Sequence, residues 1–284
     1  MSALYQSIDQ LIEDIVTLPS LPGAVAELNQ KLNEPDCSLS DIGEVVSNDP
    51  AIAMKALRLV NSAYYGLGNE VGSVEQAVNL LGPKVIKNLV LTASVFESLG
   101  RAAEGLLRHS VTTGLAMRTI IDHRGGAAGI DADEGFIYGL LHDVGIIIFH
   151  EFLPKEHERA VQMARAGEKP LHLAEIEIIG VSHADAGARL AATWNLSDRL
   201  VGAIAGHHNL DKCAQAEFRP LAAMLHVAEY ISAKSGFEPL PKIIADTSLA
   251  MWTEAGVKSQ GVPAILAPFF DAIGNTEELV ALAA

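Results

Sequence analysis

A chain of 284 residues, 49% apolar and with a formal net charge of −15, is long enough for one large domain or two small ones with a substantial core. The acidic balance argues against a nucleic-acid or membrane-surface role, since both need a basic face, and no apolar run reaches the length of a bilayer helix. Two distant cysteines, Cys37 and Cys213, fit a reducing cytoplasm better than a disulfide framework, and the first residues lack the basic and apolar regions of a signal peptide.

In chain order, Ile8, Leu11, Ile12 and Ile15 predict a short amphipathic helix over Ser7–Val16. Thr17 to Pro22 breaks it, because each proline biases the residue before it away from α geometry. Pro22 then opens a helix with Val25, Leu28 and Leu32 as its inner stripe, and Leu39-Ser40-Asp41 starts a third. Asp49 is placed to cap a fourth, with Pro50 at its first position. Ala63–Gly68 reads as a loop. Ser73 caps a helix that ends at Leu81-Gly82 before Pro83, and Val85–Leu99 is another. Leu106–Asp122 follows, then a soft joint at Gly125–Gly129. Helical patterning continues in Asp131–Phe149, Glu156–Ala166, Leu171–Trp194, Asp198–His207 and Pro220–Ser235, and weakens into a helical tail over Ile243–Ala284. No alternating strand and no fixed repeat is present, so the expected fold class is all-α.

The chemistry concentrates in the apolar run Phe136–Phe149, which contains His142-Asp143 followed by Gly145. A carboxylate in so apolar a segment is costly unless paired, hydrogen-bonded or bound to a cation, and imidazole beside carboxylate suits a divalent metal. His109, His183, His207, His208 and Glu229 also sit in apolar helical surroundings. Taken singly, each reads as a hydrogen-bonded core or helix-end residue; a metal site in a helical protein gathers ligands from several helices. His123, His150, His157 and His172 lie among charges or beside turns and read as solvated surface. There is no phosphate-cradling Gly-rich loop, no G-x-S-x-G and no C-x-x-C.

Set out in order, these stretches resemble the HDOD family, output-domain relatives of the HD phosphohydrolases. The match runs through Leu18-Pro19-Ser20-Leu21-Pro22, Ser47-Asn48-Asp49-Pro50, Leu57–Ala63, Tyr65-Gly66 and Ser73–Gly82. It continues with Arg108-His109-Ser110, Gly139–Gly145, His183–Gly187 through Leu196, and Ile204–His208. The resemblance covers roughly residues 12 to 235, in the family's order.

The resemblance implies a two-lobed HDOD fold, with an N-terminal helical bundle over residues 1–100, an HD-like helical bundle over 101–235 and a C-terminal helical tail over 236–284. It implies a bacterial signal-transduction or regulatory protein, since most HDOD domains resemble HD domains that lost catalytic residues. Without an attached receiver or cyclase domain, protein partners are expected in trans. Mapped onto the HD and HD-GYP pattern, His109, His142, Asp143, His183, His207 and His208 keep the metal-ligand positions, and Glu229 stands where the distal Asp is found. One or two divalent ions are implied, with iron, manganese, zinc and nickel all compatible with imidazole and carboxylate. The alternative reading is a metal-dependent phosphohydrolase acting on a phosphate ester or nucleotide, with Asp143 catalytic. Three departures argue against cyclic di-GMP hydrolysis: Ile146 replaces the lysine of HD-GYP proteins, Asn209 replaces an acid, and Leu210-Asp211-Lys212-Cys213 stands where Gly-Tyr-Pro is expected. Losing a cation beside a scissile phosphate removes transition-state stabilisation.

Overall fold

The computed structural model describes residues 4–5, 7–15, 23–32, 34, 36–61, 71–97, 104–126, 129–238, 240 and 247–273, and among these all regular structure is helical, with no strand. The Leu18–Pro22 break and the Ala63–Gly68 loop fall outside these residues. Packing divides the chain into two compact units, one of Met1–Pro19 with Arg108–Phe269, the other of Ser20–Leu107 with Phe270–Ala284.

In the smaller unit, α2 (Gly23–Leu32), α3 (Leu39–Ser47) and α4 (Pro50–Val60) each pack on α5 (Val74–Glu97), numbering from the N-terminal α1 below. The starts of α3 and α4 are written locally. Ser38 and Asp41 form a reciprocal capping box, and Asp49 Oδ1 accepts from the Ile52 N–H at 3.2 Å. Val25, Leu28, Ile42, Val46, Ile52 and Val60 point inward at helical spacing and are buried. The break expected at Gly82 is present as a kink within α5: Gly82 has φ +81°, where a side chain would be strained, and Pro83 follows.

The larger unit holds α1 (Ile8–Asp14), α6 (Glu104–His123) from Arg108 onward, α7 (Ala132–Leu141), α8 (Val144–Phe152) and α9 (Pro154–Arg165). It continues with α10 (Leu171–Ile178), α11 (His183–Thr193), α12 (Asp198–Gly206), α13 (Arg219–Lys234), α14 (Leu249–Glu254) and α15 (Val262–Ile273), the last as far as Phe269. α11 lies between α8 and α12, and α12 packs in turn on α13 and α7.

Two stretches expected as single helices are each divided. Asp131–Phe149 breaks at Asp143 (φ −96°, ψ 11°), between α7 and α8. Leu171–Trp194 breaks between α10 and α11, where Gly180 takes φ +109° and Ser182 with Asp185 makes a second capping box. Both breaks sit beside the candidate ligands. Ala132–Phe152 is also apolar enough to cross a membrane by length and composition, but 83% of the qualifying window is buried inside the protein. It is therefore core.

Glycines bring the relevant helices close. A Cβ on Gly145 would run into the His183 carbonyl and the Gly187 nitrogen, so α8 and α11 meet backbone to backbone there. A Cβ on Gly139 would strike the backbone of Gly114, which joins α7 to α6 in the same way. His157, expected at the surface, is 5% exposed and lies against Phe149, with ring centroids 6.3 Å apart.

Candidate metal centre

Five helical elements deliver side chains to one point in the larger unit. α6 contributes His109, the α7–α8 break His142 and Asp143, the first position of α11 His183, the end of α12 His207 and His208, and α13 Glu229. Asp143 is central. Its Oδ1 lies 3.2 Å from His183 Nε2, 3.3 Å from His142 Nε2 and 3.7 Å from His207 Nε2, and its Oδ2 lies 3.6 Å from His109 Nε2. His208 Nε2 approaches His183 Nε2 to 3.0 Å, while its Nδ1 faces Glu229 Oε2 at 3.8 Å. All seven residues singled out from the sequence are thus brought together.

Hydrogen bonds on the far side of each ring set its chemistry. His109 Nδ1 bonds the Phe237 carbonyl at 2.5 Å, His142 Nδ1 that of Gly139 at 2.7 Å, and His207 Nδ1 that of Ile204 at 2.6 Å. His183 Nδ1 bonds the Glu175 carboxylate at 2.6 Å. A carbonyl oxygen can only accept, so Nδ1 of His109, His142 and His207 carries the proton, and an ionised Glu175 asks the same of His183; whenever such a ring is neutral, its Nε2 lone pair turns inward. His109 Nε2 and His142 Nε2 lie 3.2 Å apart, with the Thr113 hydroxyl 3.4 Å from His109 Nε2. His207 Nε2 and Glu229 Oε2 are buried without any hydrogen-bond partner, and Asp143 Oδ1 has only imidazole nitrogens around it. Such a convergence of donor atoms is one that positive charge, as protons or as a metal ion, would compensate.

The electrostatics follow from the same geometry. Burial, reinforced by the His142 ring, pushes His109 down to about 4, and burial with neighbouring imidazoles holds His207 and His208 well below the usual range. Burial also opposes charge on His142 and His183, but the facing carboxylates outweigh it and raise both, Asp143 for the first and Glu175 with Asp143 for the second. Asp143 itself stays well below the carboxylate range despite its burial, because His142 and His183 favour its charged form. Burial and the Asp143 charge push Glu229 up to about 7. The cluster attracts positive charge, and protons supply it where no metal does.

Among the described residues, three sets of ligand atoms lie within 4.8 Å of one another: Asp143, His183, His207 and His208; His109, His142 and Glu229; and His208, His226 and Glu229. The donors are of the kind that holds first-row divalent ions, and the Nδ1 anchors are the supports metal-bound histidines use. The cluster could hold a metal ion. His226 and Glu175 are the members that sequence reasoning did not single out. His172, expected at the surface, stacks on His208 with centroids 4.3 Å apart and an interplanar angle of 8°.

Known proteins share this architecture. A Geobacter sulfurreducens HDOD domain protein of unknown function superposes with a TM-score of 0.77 at 22% identity, over 96% of this chain and 95% of its own. A proposed phosphohydrolase from Shewanella amazonensis gives 0.74 at 24% identity, over 96% and 98%. An uncharacterized Treponema pallidum protein is 29% identical over 246 residues, 84% of this chain. The chain spans about half (47%) of that relative's length. The HDOD domain profile matches residues 18–210, a span that takes in the smaller unit's helices and the site from His109 to His208, and the chain belongs to the HDOD domain family.

Proposed function

We propose that this chain is a bacterial signalling module, acting in the cytoplasm on protein partners in trans, that holds a first-row divalent metal around Asp143. The metal reading is carried by the convergence of the four Nδ1-anchored imidazoles on the Asp143 carboxylate, a set of donor atoms that a divalent cation would hold together. One ion would be held by Asp143, His183, His207 and His208, and a second by His109, His142 and Glu229, with iron, manganese, zinc or nickel all suited to these donors.

The regulatory reading rests on two features. Ile146 and Asn209 stand where related phosphodiesterases carry a lysine and an acid. The side chains of His109, His142, Asp143, His183 and His207 are at most 3% exposed, and those of His208 and Glu229 are 11% and 14% exposed. That geometry suits a retained ion better than substrate exchange.

A second reading, a metal-dependent phosphohydrolase, is favoured by the completeness of the ligand set, with Asp143 lying between both groups. A bound metal would supply Lewis acidity and an activated water; the chain's own residues would hold the centre and keep Asp143 ionised.

The two readings part in one assay. Metal-loaded wild type and Asp143→Ala are incubated with p-nitrophenyl phosphate, its bis-ester and a panel of nucleotides. The signalling reading expects wild type to turn over no faster than the variant. Turnover in wild type that disappears in Asp143→Ala would replace it with the hydrolase.

A further inference from the structure

Glu175 is fully buried on the inner face of α10, beside Leu171 and Ala174. A carboxylate there is costly unless something compensates it. Its Oε2 accepts two hydrogen bonds, from the His183 backbone N–H at 2.8 Å and from His183 Nδ1 at 2.6 Å, whereas Oε1 makes none. Both bonds go to a single residue. We infer that Glu175 is a positioning residue for the metal centre: it fixes the tautomer and aim of His183 and thereby sets how tightly an ion is held. The inference rests on the metal reading above.

The asymmetry among the ring anchors supports it. His109, His142 and His207 lean on neutral carbonyls, and His183 alone leans on a carboxylate. A negative partner makes the opposite nitrogen a stronger electron donor than a carbonyl does. The support is also rigid. Ile179 and Gly180 N–H groups close the end of α10 onto the Glu175 carbonyl at 2.7 and 3.2 Å, and the Tyr5 N–H bonds the Ile179 carbonyl at 2.6 Å. A Cβ on Gly180 would collide with the Tyr5 backbone, so Tyr5 lies directly on this junction. Glu175 also faces the N-terminus of α11, where the helix dipole favours a negative charge.

The test compares wild type, Glu175→Gln and Glu175→Leu. Zinc affinity is measured by competition with a chromophoric chelator, fold by thermal unfolding of the metal-free proteins, and the His183 tautomer by imidazole 15N NMR. Glu175→Leu is expected to lose about 10- to 100-fold in affinity and to mix its His183 tautomers. Glu175→Gln keeps an acceptor oxygen without the charge, so it should hold the tautomer and fall between the two in affinity. Folded variants with affinity within about two-fold of wild type, or with only a lowered melting temperature, would overturn the inference and leave Glu175 as a clamp on α11. Wild type that binds no zinc would instead sink the metal reading, and the tautomer signal would still report whether Glu175 aims the ring.

Discussion

At the scale of single residues, His157 shows what burial does to a histidine with no ion to serve. Burial, with the nearby His150 ring adding to it, holds the imidazole down at about 4 against an ordinary 6.5, and its Nδ1 has no hydrogen-bond partner. The unfolded chain therefore binds a proton that the folded chain rejects between these two values. Stability contributed here is complete above about pH 6.5 and is lost as the pH falls to about 4. The difference amounts to about 3 kcal/mol at roughly 1.4 kcal/mol per pH unit. His157→Leu should flatten the stability curve in that window relative to wild type, as read by urea unfolding at a series of pH values. Parallel curves would show that His157 does not titrate in this way.

The residue scale also shows what was legible in the sequence. His109, His142, Asp143, His183, His207, His208 and Glu229 were found by their order along a family pattern, since composition alone made each a plausible core histidine or acid. Periodicity, not pattern, was the signal for those missed. His157 shares a face with Ala160, Val161 and Ala164, and Glu175 shares one with Leu171 and Ala174, spacings that place both inward. Charged neighbours on the opposite faces masked that signal.

At the scale of elements, the site depends on helices meeting without side chains between them. Gly145→Ala places a methyl group against the backbone of α11 at His183 and Gly187. It should destabilise the protein by about 1–3 kcal/mol or more and displace His183 from the cluster. The reverse change, Gly187→Ala, meets its closest neighbour at 3.1 Å and should cost less. Chemical denaturation with zinc titration of both variants checks the order; equal costs would contradict the close-approach account. Ser182→Ala, which removes the cap of α11, should cost about 1 kcal/mol, measured in the same way.

Helix starts were legible where a side chain announces them, as at Ser7, Asp49, Ser73 and Asp131. The two breaks beside the site were not. Apolar residues continue through His142-Asp143 with no proline or glycine at the break, and His142 itself keeps helical angles, so only Asp143 departs. The α10–α11 break did carry a local signal, Gly180 followed by the Ser182–Asp185 box, but the apolar pattern on either side reads as one helix.

At the scale of the whole molecule, an acidic chain concentrates imidazoles and carboxylates from separate elements at one buried place. An ion bound there ties α6, the α7–α8 break, α11, α12 and α13 together, and ligand binding to the native state alone raises its stability by mass action. Adding manganese or zinc to the metal-free protein should raise its melting temperature by several degrees, and should leave a His142→Ala/Asp143→Ala variant unmoved. An equal rise in both would place the ion elsewhere.

The central claim is that the cluster around Asp143 is a metal centre, and elemental analysis addresses it directly. The protein is purified without chelator or a metal-affinity tag, alongside the His142→Ala/Asp143→Ala variant. Stoichiometric iron, manganese, zinc or nickel in wild type and its loss in the variant is the expected result. Wild type free of metal, and taking up none when it is supplied, would contradict the claim and leave the inward-facing imidazoles to be satisfied by protons alone.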